Sequence, residues 1–261
     1  MILRRVMRRS ALVVVLVVLW PLVAAAQEIR VMVSGAFTEA YLQVVPEFER
    51  ATKYKVVSAF GASMGGAPDS IPSRLGRGEP ADVLIMASAA VDDLIAQGRV
   101  VAGSRVDLVR SSIGMAVRAG ARKPDISTVE ALTRALLDAK SIAYSASASG
   151  VYLSTELFPR LGIAQQVAAK SRRIESERVG AVVARGDAEI GFQQISELLP
   201  IAGIELVGPL PPGAQRVTIF SAGVARGSTQ PAAARQLIDF LLSTAVRKVI
   251  EKSGLEPISE R

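Results

Sequence analysis

The chain has 261 residues with no cysteine and no histidine, which excludes disulfides, thiol nucleophiles and imidazole-dependent triads and argues against a catalytic zinc site. Its net charge of +7 falls to about +3 once Arg4, Arg5, Arg8 and Arg9 are set aside with the N-terminal segment. No basic run is interleaved with aromatics, so nucleic-acid binding has no support.

The first 26 residues combine those four arginines, an apolar run over 11–23 and an A-x-A site ending at Ala26. The run is short for a membrane span, and the pattern is that of a cleavable signal peptide, which sends the mature chain to a bacterial periplasm. About 235 residues then remain, enough for one domain or two modest lobes. Residues 28–34 (EIRVMVS) read as a strand, 38–50 as a helix with Ala40, Tyr41, Val44, Val45 and Phe48 on one face, and 55–60 as a second strand. Residues 69–75 make a short polar helix, the continuous apolar run 82–86 (DVLIM) a buried parallel strand, and 90–97 a helix closed by Gly98.

After a polar connection, 113–118 is a strand. Residues 127–138 form a helix with a capping box from Ser127 to Glu130. A short apolar segment, 141–144, runs into Ser145, Ser147 and Ser149, and a helix capped by Ser149 follows. Beyond an arginine-rich polar stretch, the pattern gives a short helix over 178–184, strands at 189–193, within 198–207 and over 217–225, and closing helices at 231–242 and 245–252. This alternation argues for an α/β protein with mostly parallel sheets.

Three turns after strand-like runs are built from serine and glycine: Ser34-Gly35-Ala36, the segment holding Ser63-Met64-Gly65, and Ser147-Ala148-Ser149-Gly150. Free backbone N–H groups, hydroxyls and a helix N-terminus suit a small anion, and ligands gather at such strand ends in open sheets. None of the three matches a phosphate loop or dinucleotide fingerprint. A fourth turn offers the amides of Gln193 and Gln194. Arg74 and Arg77 are arginines able to grip a carboxylate, although a solvated surface role is the simpler expectation. No acidic cluster has metal-ligand spacing.

The segments VMVSGAFTEAY, FGASMGG, Gly78-Glu79-Pro80-Ala81-Asp82-Val83 and SASGVYLSTELFPRLGI together resemble the molybdate-binding-like branch of periplasmic solute-binding proteins. The resemblance covers nearly all of 28–257. It implies a type II periplasmic binding fold, with two α/β lobes, a ligand cleft and two crossing hinge segments. Lobe I would be 27–110 with 220–261, and lobe II 111–219. The ligand would be held by Ser34, Gly35, Ala36, Ser63, Met64, Gly65, Ser147, Ser149, Gly150, Tyr152, Gln193 and Gln194. The family implies a monomer that captures a small anion for an ABC-type importer. The chain departs from molybdate binders at Ser147–Gly150, where those proteins carry a proline-containing turn. It departs again at Gln193 and Gln194, where they place a tyrosine, and both departures favour an organic carboxylate.

SMGG…IPSRLGRGEPADV, SIAYSASASGVYLSTELF and GFQQISELLPIAG are also similar to bacterial aconitate isomerases, exported enzymes on this fold. That likeness implies, as the alternative to solute capture, a cofactor-independent allylic proton shift between trans- and cis-aconitate. Tyr152 and Glu197 are the candidates for the base.

Overall fold

The structure is a computed structural model that describes residues 27–258; the expected signal peptide lies outside the described residues. The chain alternates through β1 (Glu28–Ser34), α1 (Gly35–Thr52), β2 (Lys55–Gly61), α2 (Ile71–Gly76), β3 (Val83–Ala87), α3 (Ser88–Ala96) and β4 (Val106–Ser111), then crosses into β5 (Ile113–Arg118). After α4 (Val129–Asp138) and β6 (Ile142–Ser145), α5 (Ala148–Tyr152) continues through a π turn, Leu153–Leu157, into α6 (Phe158–Arg160). Next come α7 (Ala164–Ala168), β7 (Ser171–Ile174), α8 (Val179–Ala184), β8 (Ile190–Gln194), α9 (Ile195–Leu198) and β9 (Ile204–Pro209). The chain crosses back into β10 (Thr218–Val224), followed by α10 (Pro231–Leu242), α11 (Thr244–Lys252) and β11 (Glu256–Pro257).

Two sheets result, in the strand orders β11-β4-β10-β3-β1-β2 and β7-β6-β8-β5-β9. Each joins a parallel trio to antiparallel strands, so both are mixed rather than mostly parallel. The reason is the crossing. β5 and β10 arrive from the other lobe instead of returning over a crossover helix, so nothing constrains them to run parallel. Gln215, in the second crossing, accepts from the Ile113 N–H at 3.0 Å and donates to the Ile113 carbonyl at 2.9 Å, which ties the two crossings together.

Period-two alternation sets the core. In β1, Ile29, Val31 and Val33 face the layer holding α1, α10 and α11, while Met32 faces α2 and α3; Val83 and Ile85 of β3 divide from Leu84 and Met86 in the same way. The second sheet buries Met115, Ile142 and Phe192 under the α4–α7 layer, and Ala143 and Ile174 under Val179, Val182 and Val183 of α8.

Local boundaries differ from the sequence reading in several places. α1 begins directly after Ser34. The α4 cap is Thr128, whose hydroxyl accepts from the Ala131 N–H at 3.1 Å, instead of Ser127. α5 is capped at Ser147, so Ser149 lies inside it. β4 and β7 occupy stretches read as polar connections; their Arg110, Arg172 and Arg173 point to solvent and mask the strand pattern.

Candidate functional site

The ends of β1, β2, β6, β7 and β8 open on a cavity of about 330 Å³ between the lobes. On one wall, Ser34 (1 % exposed) caps α1 in extended conformation without a side-chain bond to it, and its hydroxyl is buried without a partner among the described residues. Gly35 and Ala36 follow on the same wall, at the N-terminal turn of an 18-residue helix. Free N–H groups and the positive end of the helix dipole concentrate there.

Facing them are Ser145, Ser147 and Ser149. Ser145 and Ser149 share a hydrogen bond of 3.1 Å, and the Ser147 N–H donates to the Ser145 hydroxyl at 3.3 Å. Gly150 is not on the wall. It is glycine because a Cβ there would overlap the Ser145 carbonyl, which lets α5 start tightly against the end of β6.

β8 supplies the third side. Gln193 is engaged at both ends of its amide, accepting from the Val179 N–H at 2.8 Å and donating to Glu197 Oε1 at 2.8 Å. Gln194 donates to the Thr218 hydroxyl at 3.2 Å and leaves its Oε1 buried without a partner among the described residues. Glu197 also lines the cavity and packs against Gly35, where any Cβ would overlap its Oε1. Burial pushes the Glu197 carboxyl up to about 7, against the opposing pull of the Arg178 charge and the Gln193 hydrogen bond. A carboxyl held near neutrality can both take and return a proton.

The structure does not bring every expected residue together. Ser63 is fully buried and accepts from the Ala87 N–H at 2.9 Å; Ser63, Met64 and Gly65 line a separate depression beside α3. From that turn, only Gly61 and Ala62 reach the cavity. Tyr152 sits in the second lobe's core, donating to the Ala214 carbonyl at 2.9 Å and accepting from Arg160 at 2.9 Å, with the Arg216 guanidinium 4.4 Å from its ring centre. It is not on the cavity wall. Arg74 pairs with Glu79 at 2.9 Å and donates to the Asp69 carbonyl at 3.0 Å, behind the cavity wall and not on it.

Sequence reasoning missed the loop 174–178, which carries Glu175, Glu177 and Arg178 onto the wall, together with Asp69. The available signal was topological. This loop leaves the carboxyl end of a strand and enters a helix as the others do, but it contains neither a glycine nor a serine pair.

The sequence model of the bacterial extracellular solute-binding protein family matches residues 29–256. An aconitate isomerase from Pseudomonas sp is 49 % identical over 240 residues, covering 91 % of this chain and 92 % of that one. A molybdate-binding protein of Azotobacter vinelandii is 27 % identical over 249 residues, covering 88 % and 90 %. Among solved structures, the periplasmic molybdate-binding protein of Azotobacter vinelandii superposes with a TM-score of 0.69 at 20 % identity, covering 89 % of this chain and all of that one. The sulfate-binding protein SubI of Mycobacterium tuberculosis gives 0.70 at 18 %, covering 89 % and 87 %. With two mixed α/β lobes closing on a cavity and a match along almost the whole described chain, the protein belongs to the bacterial extracellular solute-binding protein family and has the type II periplasmic binding fold.

Proposed function

We propose that this protein is an exported isomerase of the aconitate type, built on a solute-binding scaffold and working in the periplasm. In this reading lobe I is 27–110 with 220–261, lobe II is 111–219, and residues 1–26 direct export. The observation that carries the reading is Glu197, a buried carboxyl near neutrality on the cavity wall. The similarity to an aconitate isomerase over nine-tenths of both chains supports it.

The ionised Glu197 carboxylate takes a proton from the substrate methylene. The C–H electron pair moves into the allyl system, conjugated with a carboxylate, as the original double bond shifts. The protonated Glu197 then returns the proton to the former vinyl carbon. One proton leaves and one returns, so no oxidant, reductant or cofactor enters the balance. The carbanion's charge falls on carboxylate oxygens, where the Ser34 hydroxyl and the backbone N–H groups opening α1 are the donors suited to stabilise it. The Ser147 and Ser149 hydroxyls, on the facing wall, are donors suited to orient the other carboxylates.

The family match over 29–256 favours a second reading, capture of a small anion for an ABC-type importer. Incubation of purified protein with trans-aconitate, with cis-aconitate followed by chromatography, separates the two. Turnover by the wild type that disappears in Glu197→Gln supports the isomerase. No conversion above a protein-free control refutes it. A thermal-shift screen across molybdate, sulfate, phosphate and small di- and tricarboxylates then identifies the captured solute.

A further inference from the structure

Among the described residues, four carboxylates line the cavity, Asp69, Glu175, Glu177 and Glu197, with a single cation, Arg178. Two of the acids are neutralised by arginines, Glu175 by Arg173 at 2.8 Å and Glu177 by Arg185 at 2.9 Å, and Asp69 accepts from the Ser176 hydroxyl at 2.9 Å. A polyanionic substrate therefore meets one fixed positive side chain on this wall.

That side chain is held across the cleft. Arg178 caps α8 in the second lobe with an extended backbone, and its Nη2 donates to Oε1 of Glu39 on α1, in the first lobe, at 2.7 Å. Both side chains are about two-thirds or more buried, with exposures of 30 % and 27 %. Of the five N–H donors on a guanidinium, this bond occupies one, and the Arg178 side chain makes no other hydrogen bond among the described residues. The remaining donors belong to a planar fork matched to a carboxylate, and its position is already restrained before a ligand arrives.

We propose that Arg178 grips a carboxylate of the substrate and that Glu39, reaching from the opposite lobe, is the positioning residue that fixes the guanidinium for that grip. The assignment rests on the isomerase reading for its substrate. Fixing the fork in advance reduces the rotamer freedom lost on binding. The same contact spans the lobes, so the carboxylate grip also reports that the cleft is closed.

The competing account is a simple latch, in which Arg178 and Glu39 matter only to each other. Steady-state kinetics with trans-aconitate on Arg178→Gln, Arg178→Lys, Glu39→Gln and the double variant R178Q/E39Q distinguishes the accounts. Loss of a charge-assisted grip raises KM in Arg178→Gln by roughly 10- to 100-fold, with kcat changed much less. Arg178→Lys recovers part of that loss. Glu39→Gln raises KM by only a few-fold, and the double variant is no worse than Arg178→Gln alone. Equal KM effects in Arg178→Gln and Glu39→Gln, or a wild-type KM in Arg178→Gln, overturn the proposal.

If the wild type turns nothing over, the isomerase reading fails, and calorimetry with tricarballylate, which has no double bond to shift, reads Arg178 by itself. The same fold-loss of affinity in Arg178→Gln then supports the grip. Unchanged affinity, or no wild-type binding of tricarballylate, overturns it.

Discussion

Glu197→Gln should raise the stability of the protein at alkaline pH while abolishing turnover. The native carboxyl is raised from its ordinary 4.5 to about 7, with desolvation the largest cause. Below pH about 4.5 the group is protonated in both the folded and the unfolded chain and contributes nothing. Between about 4.5 and 7 the folded chain keeps a proton that the unfolded chain has released, so stability falls as pH rises through that window. Above about 7 the penalty is complete, and 2.5 pKa units correspond to about 3 kcal/mol. Water entering an open cleft would reduce that figure, which is therefore a ceiling. Glutamine is neutral throughout and still accepts from Gln193, so the variant escapes the penalty. For a chain of this size the gain corresponds to about 6–12 °C in Tm near pH 8, and to little near pH 5. Urea or thermal unfolding of both proteins at the two pH values measures it. A variant no more stable than wild type near pH 8, or equally stabilised near pH 5, refutes the argument that burial sets this carboxyl. In the wild type the base must be ionised, so turnover should rise with pH through about 7.

Ser34→Ala and Ser149→Ala should each weaken binding of a carboxylate ligand by about 1–2 kcal/mol, the scale of a lost hydrogen bond to a charged group, as read by calorimetry. Unchanged affinity in both would mean that neither hydroxyl faces the ligand. Ser63→Ala should leave affinity unchanged but lower stability by about 1–2 kcal/mol in denaturant titration, because the buried Ala87 N–H loses its acceptor. Gly35→Ala places a methyl group on Glu197 Oε1 and should reduce kcat at least about tenfold through misplaced base geometry, while the circular dichroism spectrum stays that of the wild type. Full activity in that variant would show that Glu197 does not need its position against α1.

The legible parts of the chain were those whose neighbours in sequence are also their environment. β3 is apolar on both faces and sits between β1 and β10, so its run of five buried residues announced it. β4 and β7 were hidden because exposed arginines interrupt their pattern; β7 lies at an edge of its sheet, where one side of the strand has no partner. The sequence reading capped the helix of the serine stretch at Ser149, two residues too late. The pairing of β6 with β7 and β8 fixes where the strand ends and so selects Ser147. Glu197 was legible as a candidate base but not as a buried one, because its close approach to Gly35 of α1, far away in the chain, is set by the fold and desolvation is what raises its pKa.

By itself the sequence determined the β-α alternation, the small hydroxyl-rich turns at strand ends and the absence of thiol and imidazole chemistry, since each is a property of residue type and local spacing. Only the tertiary structure decided which turns converge. It brought Ser34 and the 145–149 turn face to face, turned Ser63 inward to the Ala87 N–H, sent Tyr152 into a core and put Arg178 and Glu197 on the cavity wall. Desolvation and close approach are set by elements far apart in the chain, so no local pattern could have separated two similar serines or shown that Glu197 is buried while Tyr152 lies off the cavity wall.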